Sequence, residues 1–164
     1  MSSSLLDRAL HMLALRDHSE AELRRKLAAQ PVARQRFKAT PAKNAPAETQ
    51  ITEADIQVVI DYCLQNDWLD DARFALRYVN SRSKRGYGEQ KIRMELLQKG
   101  IQREIIDNAF TEAQIDRSAQ AQDVAWKKFG QPLPSDREAR AKVQRYLLSR
   151  GFSYDEIRSI YINF

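Results

Sequence analysis

Residues 91–110 read KIRMELLQKGIQREIIDNAF, and residues 142–161 read KVQRYLLSRGFSYDEIRSIY. Set 51 positions apart, the two stretches match in kind: Ile92 with Val143, Leu96 with Leu147, Leu97 with Leu148, Gly100 with Gly151, Ile101 with Phe152, and Ile106 with Ile157. A third copy lies upstream and is split. Leu23 and Leu27 stand where Ile92 and Leu96 do, while Ile51, Ile56 and Ile60 stand where Ile101, Ile106 and Phe110 do. A repeat this short cannot bury its apolar face alone, so the copies must stack on one another.

Outward from these stretches, apolar residues recur three and four apart, the period of an amphipathic helix. Leu6, Leu10 and Leu13 mark a first helix, Leu23 and Leu27 a second, and Ile56, Val59, Ile60 and Leu64 a third. Phe74, Tyr78 and Val79 open the middle copy, and Val124, Trp126 and Phe129 open the last. The pattern predicts an all-α chain of nine short helices in three tandem three-helix repeats, at 1–68, 69–115 and 116–164. The first repeat is interrupted at 31–50 by PVARQRFKATPAKNAPAETQ, which holds three of the five prolines and reads as a mobile excursion. Its Arg34, Arg36, Lys38 and Lys43 either touch an acidic surface or are simply solvated.

Helix ends are marked as well. Ser19 with Glu22, Thr52 with Asp55, Ser135 with Glu138 and Ser153 with Glu156 have capping-box spacing, in which hydroxyl and carboxylate satisfy each other's backbone N–H. Gly100 and Gly151, each preceded by a cation, end a second helix, with glycine in the left-handed conformation. Asp70 and Asp71 read as first-turn carboxylates of a helix beginning at Ala72.

With 164 residues, 43% hydrophobic and 30% charged, the chain has a core but a large surface, and an elongated body is expected. No run of about 18 apolar residues is present, and the start lacks a secretory signal. Cys63 is the single cysteine and sits among apolar neighbours, so a buried thiol in a reduced, cytoplasmic protein is expected.

Little in the chain supports catalysis. His11 and His18 are the only histidines and neither has metal-ligand spacing. There is no phosphate-binding glycine loop and no nucleophile elbow. No cofactor, metal or catalytic residue is expected. Charge is more informative. Residues 1–71 carry 9 basic and 11 acidic groups, residues 72–110 carry 9 and 4, and residues 111–164 carry 9 and 7. The overall net +5 therefore matches the excess of the middle copy. Within it, SRSKRGYGEQKIR (81–93) combines Arg82, Lys84, Arg85, Lys91 and Arg93 with a Gly86-Tyr87-Gly88 bend. Such a turn at a helix start can offer free N–H groups and guanidinium forks to anions, with Tyr87 stacking on a base. A carboxylate-rich protein surface fits equally, and a solvated turn is the plain alternative.

These residues carry a family resemblance. Arg16-Asp17-His18-Ser19 with Glu22-Leu23-Arg24-Arg25-Lys26-Leu27, then WLDDARFALRYVNSRSKRGYGEQKIRMELLQKGI (68–101), then Phe129-Gly130 and YLLSRGFSYDEI (146–157) resemble the three motifs of the RecX family. The resemblance implies a curved array of three-helix units without enzymatic activity. It implies a negative modulator that binds the RecA–single-stranded-DNA filament and depresses its ATPase, strand-exchange and coprotease activities; a monomer is simply the plainest expectation for the chain. Contact with single- or double-stranded DNA is also implied. The expected contact set is Arg73, Arg77, Arg82, Lys84, Arg85, Tyr87, Lys91 and Arg93, with Arg24, Arg25 and Lys26 as a lesser patch. The rival reading is a plain DNA-binding module, with each third helix entering a major groove. Acids in the first turns of those helices speak against it.

Overall fold

The computed structural model describes residues 3–29 and 51–162, and the excursion at 31–50, with Arg34, Arg36, Lys38 and Lys43, lies outside them. Among the described residues there are nine α-helices and no strand. The chain divides into two compact units, Met1–Asp71 and Ala72–Phe164.

The first unit holds α1 (Ser3–Leu15), α2 (Glu20–Ala28) and α3 (Glu53–Gln65). Their core joins Leu5 and Ala9, Leu23 and Leu27, and Ile56, Val59, Ile60 and Cys63. Burial pushes the Cys63 thiol up from its ordinary pKa. Both predicted capping boxes are complete: Glu22 N–H donates to Ser19 Oγ at 3.1 Å and Asp55 N–H to Thr52 Oγ1 at 3.2 Å, each carboxylate answering in turn. Asp71 differs from expectation. It begins its own helix, but its carboxylate accepts the Glu20 N–H at 2.8 Å and so caps α2 instead. Its pKa rises, chiefly because it is buried, with the Glu20 bond opposing.

Ile51 also departs from its alignment. It is 45% exposed, whereas Ile101 and Phe152 are at 2% and 0%. The difference lies at the preceding helix end. Gly100 and Gly151 have φ of +79° and +100°, and the next N–H bonds five residues back, Ile101 to Leu96 and Phe152 to Leu147, closing a loop of six residues. In these two copies that geometry delivers the following apolar side chain into the core. The first copy has no such glycine; α2 ends on Ala29 in extended conformation. Arg8 of α1 supplies the cap, donating to the carbonyls of Lys26 and Ala29 at 3.3 and 3.2 Å. The six-residue closure recurs at Asp67–Trp68 and at Gly86–Tyr87.

The segment at 16–26 forms a polar knot. Buried Glu22 pairs with Arg16 at 3.0 Å. His18, 4% exposed, places Nδ1 3.0 Å from the Arg16 carbonyl and Nε2 3.0 Å from Lys26 Nζ. An ammonium can only donate, so Nε2 accepts and Nδ1 carries the proton. Burial, then the charges of Arg16 and Lys26, hold His18 below its ordinary pKa, against the pull of the Arg16 carbonyl. A folded pKa below the unfolded one gives stability that is complete above about pH 6.5 and lost as pH falls. With Trp126 replaced by Phe, Trp68 fluorescence reports this unit alone. Its urea midpoint is expected to fall between about pH 7 and pH 5, and His18→Gln is expected to flatten that fall.

The second unit runs through α4 (Asp71–Lys84, beginning at the boundary residue), α5 (Glu89–Gln98), α6 (Arg103–Ala113), α7 (Arg117–Phe129), α8 (Arg137–Ser149) and α9 (Tyr154–Ile162). One core gathers Phe74, Val79, Ile92, Leu96, Ile106 and Phe110. The other gathers Val124, Val143, Leu147, Phe152, Ile157 and Ile160. Leu97, aligned with half-buried Leu148, is exposed instead. The Ser135 box is replaced: Asp136 is the cap and accepts the Ala139 N–H at 3.1 Å. At Ser153 the hydroxyl accepts the Glu156 N–H at 3.2 Å, while Glu156 Oε2 has no partner among the described residues.

Candidate functional site

The basic turn is built at the end of α4. Gly86, at φ +88°, lets the Tyr87 N–H bond back to the Arg82 carbonyl at 3.1 Å, which ends the helix and aims the Tyr87 ring. Chain reversal continues through Gly88, whose extended backbone caps α5 without a side chain.

Two of the turn's N–H groups are not open to an anion, contrary to the sequence expectation. Gly88 N–H donates to the Arg150 carbonyl at 2.7 Å and Gln90 N–H to the Gly151 carbonyl at 3.1 Å. The fit is close. A Cβ on Gly88 would lie 2.5 Å from the Gly151 carbonyl, and one on Gly151 would lie 2.6 Å from Lys91 Cβ. Side chains complete the joint. Arg150 Nη2 donates to the Arg85 carbonyl at 2.7 Å, and Gln120 Nε2 donates to the carbonyls of Ser83 and Tyr87 at 2.8 and 3.0 Å. Gly151 therefore does more than end a helix: it seats the middle copy's turn, while its counterpart Gly100 stays exposed.

Tyr87 is half-buried and surrounded by cations. Arg82, Arg150 and Lys91 lie 3.9, 4.2 and 4.9 Å from its ring centre. Guanidinium groups over an aromatic face are attracted by its quadrupole. The Nε atoms of Arg82 and Arg150 have no hydrogen-bond acceptor among the described residues, which is the cost of that placement.

The predicted contact residues separate into groups. Arg82 pairs with Glu95 at 2.9 Å, and Tyr78 donates to the same carboxylate. Burial raises the Glu95 pKa, but the hydrogen bonds from Tyr78 and Arg82 and the Arg82 charge outweigh it and hold the carboxyl below its ordinary value. Arg93 turns away to Glu89 at 2.9 Å and Asp107 at 2.6 Å, with Arg117 sharing Glu89 at 2.8 Å. Arg82 and Arg93 thus hold helices together. Arg73 is half-buried and Arg77 exposed, one turn apart on α4. Lys84 and Arg85 are exposed. In the lesser patch, Arg24 pairs with Glu20 and Lys26 with His18, while Arg25 is exposed.

Lys84 and Arg85 open onto a cleft of about 390 Å³, whose far wall carries Lys127 and Lys128 of α7 and Arg150 after α8. Asp123 is its one acid. The sequence reading missed these residues because they belong to the last copy. The one available signal was the Lys127-Lys128 pair in the final turn of α7. Among the described residues no cluster of three or more His, Cys, Asp or Glu could hold a metal ion, and no helix is long and apolar enough to cross a membrane.

Family models for RecX match the chain twice: the second three-helix domain at residues 70–109 and the third at 115–160. A regulatory protein RecX of Serratia proteamaculans is 54% identical over 99% of this chain and 98% of its own. This chain belongs to the RecX family. A regulatory protein RecX of Cronobacter sakazakii is 51% identical, covering 99% of this chain and 93% of its own. Among solved structures, RecX from Lactobacillus salivarius superposes with a TM-score of 0.73 at 23% identity, over 98% of this chain and 94% of that one, and so shares the fold. The RecX relatives are named as regulators, and the family is not one of enzymes.

Proposed function

We propose that this chain is a monomeric, cytoplasmic negative modulator of RecA. It binds the RecA–single-stranded-DNA filament and depresses its ATPase, strand-exchange and coprotease activities. Identity of about half over nearly the full length to regulators named RecX carries this reading. We divide the chain functionally into repeats at 1–68, 69–115 and 116–164. Contact with the filament falls to the cations of the middle repeat: Lys84 and Arg85 directly, Arg73 and Arg77 beside them, and Arg82, Lys91, Arg93 and Tyr87 as the ordered base beneath.

The ion pairs decide which variants can test this. Reversing Arg82 would strand Glu95 and disturb the helices, whereas Lys84 and Arg85 are exposed. Lys84→Glu with Arg85→Glu is expected to raise the concentration giving half-inhibition of RecA's DNA-dependent ATPase about tenfold, or ~1.4 kcal/mol. Unchanged inhibition with an unchanged circular dichroism melt would remove the basic turn from the mechanism. The third helices are poor candidates for reading DNA, since α6 and α9 begin with Glu104 and with Asp155 and Glu156.

A further inference from the structure

The last repeat carries a second pair of cations, which no carboxylate answers. Arg140 of α8 and Arg158 of α9 are exposed, and among the described residues neither is held in an ion pair. On α8, Arg140 and Gln144 lie one turn apart, and buried Val143 and Leu147 separate them from Tyr146 and Arg150 on the other flank. Two cavities open beside them. One, of about 200 Å³, is lined by Arg140, Gln144, Tyr154, Ile157, Arg158 and Tyr161. The other, of about 270 Å³, is lined by Pro132, Leu133, Ser135, Arg140 and Tyr161. Arg140 and Tyr161 border both. The Arg140 guanidinium lies 4.4 Å from the Tyr161 ring centre. The Tyr161 hydroxyl is buried without an acceptor among the described residues. Burial lifts its pKa, with the Arg140 charge opposing, so it is a donor at neutral pH. The Ser135 hydroxyl is uncommitted too, because Asp136 holds the cap of α8. An oxyanion between the two cavities would therefore meet donors that the fold leaves unanswered.

The geometry points to a site for the free C-terminus of a partner polypeptide. Its α-carboxylate lies on Arg140 and Arg158, and its last side chain, an apolar one, enters the cavity beside Pro132 and Leu133. Three observations select this ligand. First, the carboxylate and the apolar group must sit side by side, because Arg140 borders both cavities. The terminal residue of a chain carries the two on one Cα. Inside an extended peptide, neighbouring side chains point to opposite faces, so an internal acid cannot lay its apolar neighbour alongside. Second, each cavity falls below the roughly 300–1,000 Å³ of pockets for drug-sized ligands, which suits a single side chain rather than a cofactor. Third, the surrounding field is mixed. Asp136 and Glu138 begin α8, and Asp155 and Glu156 begin α9. Acids so placed repel a polyphosphate, whereas a single carboxylate gripped by guanidinium forks is neutralised locally. The site shares no residue with the basic turn, and its failure would leave the roles given to Lys84 and Arg85 as they stand.

The test is a titration of the full chain, labelled with nitrogen-15, with N-acetyl-Gly-Ser-Gly-Leu bearing a free C-terminal carboxylate, followed by NMR amide shifts. Saturating shifts are expected, confined to residues 132–135, 140–144 and 154–161. Amidating the peptide, or ending it in Gly, is expected to weaken binding at least about tenfold. Arg140→Ala and Arg158→Ala should each do the same. Lys142→Ala and Arg145→Ala, at exposed positions of the same helix, should bind as wild type does. All four melts should match wild type; if Arg140→Ala alone melts early, Arg158→Ala carries the comparison. Equal binding of the amidated peptide, or of Gly-Glu-Leu-Gly amide with its acid internal, would overturn the proposal. So would displacement of the peptide by oligothymidylate, shifts centred elsewhere, unchanged binding by the two arginine variants, or no saturation by about 2 mM.

Discussion

Gly151→Ala is expected to destabilise the second unit by about 2–5 kcal/mol. Two causes add. Gly151 sits at φ +100°, where a side chain costs roughly 1–2 kcal/mol or more. The new methyl would also stand 2.6 Å from Lys91 Cβ and 2.7 Å from Lys91 N, an overpacking worth about 1–3 kcal/mol. Neither contact is a flexible tip that can move aside. With Trp68 replaced by Phe, Trp126 fluorescence in urea reads the loss directly. Gly100→Ala gives the comparison: it shares the conformational cost, at φ +79°, but Gly100 is exposed. Equal losses at the two glycines would show that conformation alone matters and that the joint contributes nothing.

Glu95→Ala is expected to cost about 2–3 kcal/mol. The carboxylate is about four-fifths buried and answers both Arg82 and Tyr78. Removing it leaves a largely buried guanidinium unpaired, which costs about 3–5 kcal/mol in a dry site and less with this degree of water access. The loss has a pH signature. Glu95 titrates below its ordinary value in the folded chain, so its stabilisation is complete above the usual carboxylate range and lost as pH falls through the lowered pKa. Wild type and variant should therefore converge as pH drops below about 4. A gap that stays constant with pH would mean that packing, not charge, explains the residue.

Periodicity and helix-end chemistry made most of the fold legible. Leu23, Leu27, Ile92, Leu96, Val143 and Leu147 are all at 0% exposure, where the three-and-four spacing put them. Ile51 was misread because alignment transfers a position but not the glycine turn that makes the position an inward one. Ser135 was misread because the neighbouring Asp136 competes for the same N–H groups, and spacing cannot choose between adjacent caps. The candidate site was half legible. A run of cations is visible in the sequence, but their partners are not. Glu95 and Asp107 lie more than ten residues from the arginines they bind, so Arg82 and Arg93 read as open surface. Lys127, Lys128 and Arg150 belong to the site only because the turn of one copy rests on the glycine of the next.

The six-residue closures at Asp67, Gly86, Gly100 and Gly151 separate where a residue is delivered from what becomes of it. Each delivers the following residue to a place that the backbone alone dictates, whatever side chain stands there. The four occupants are Trp68 at 43% exposure, half-buried Tyr87, Ile101 at 2% and Phe152 at 0%. One architectural slot thus serves as surface aromatic, cation-ringed platform and core plug within a single chain. The turn fixes where each residue enters, and the packing around that point fixes its fate: Phe152 and Ile101 are walled in by their cores, whereas Tyr87 keeps a face for cations and Trp68 one for solvent.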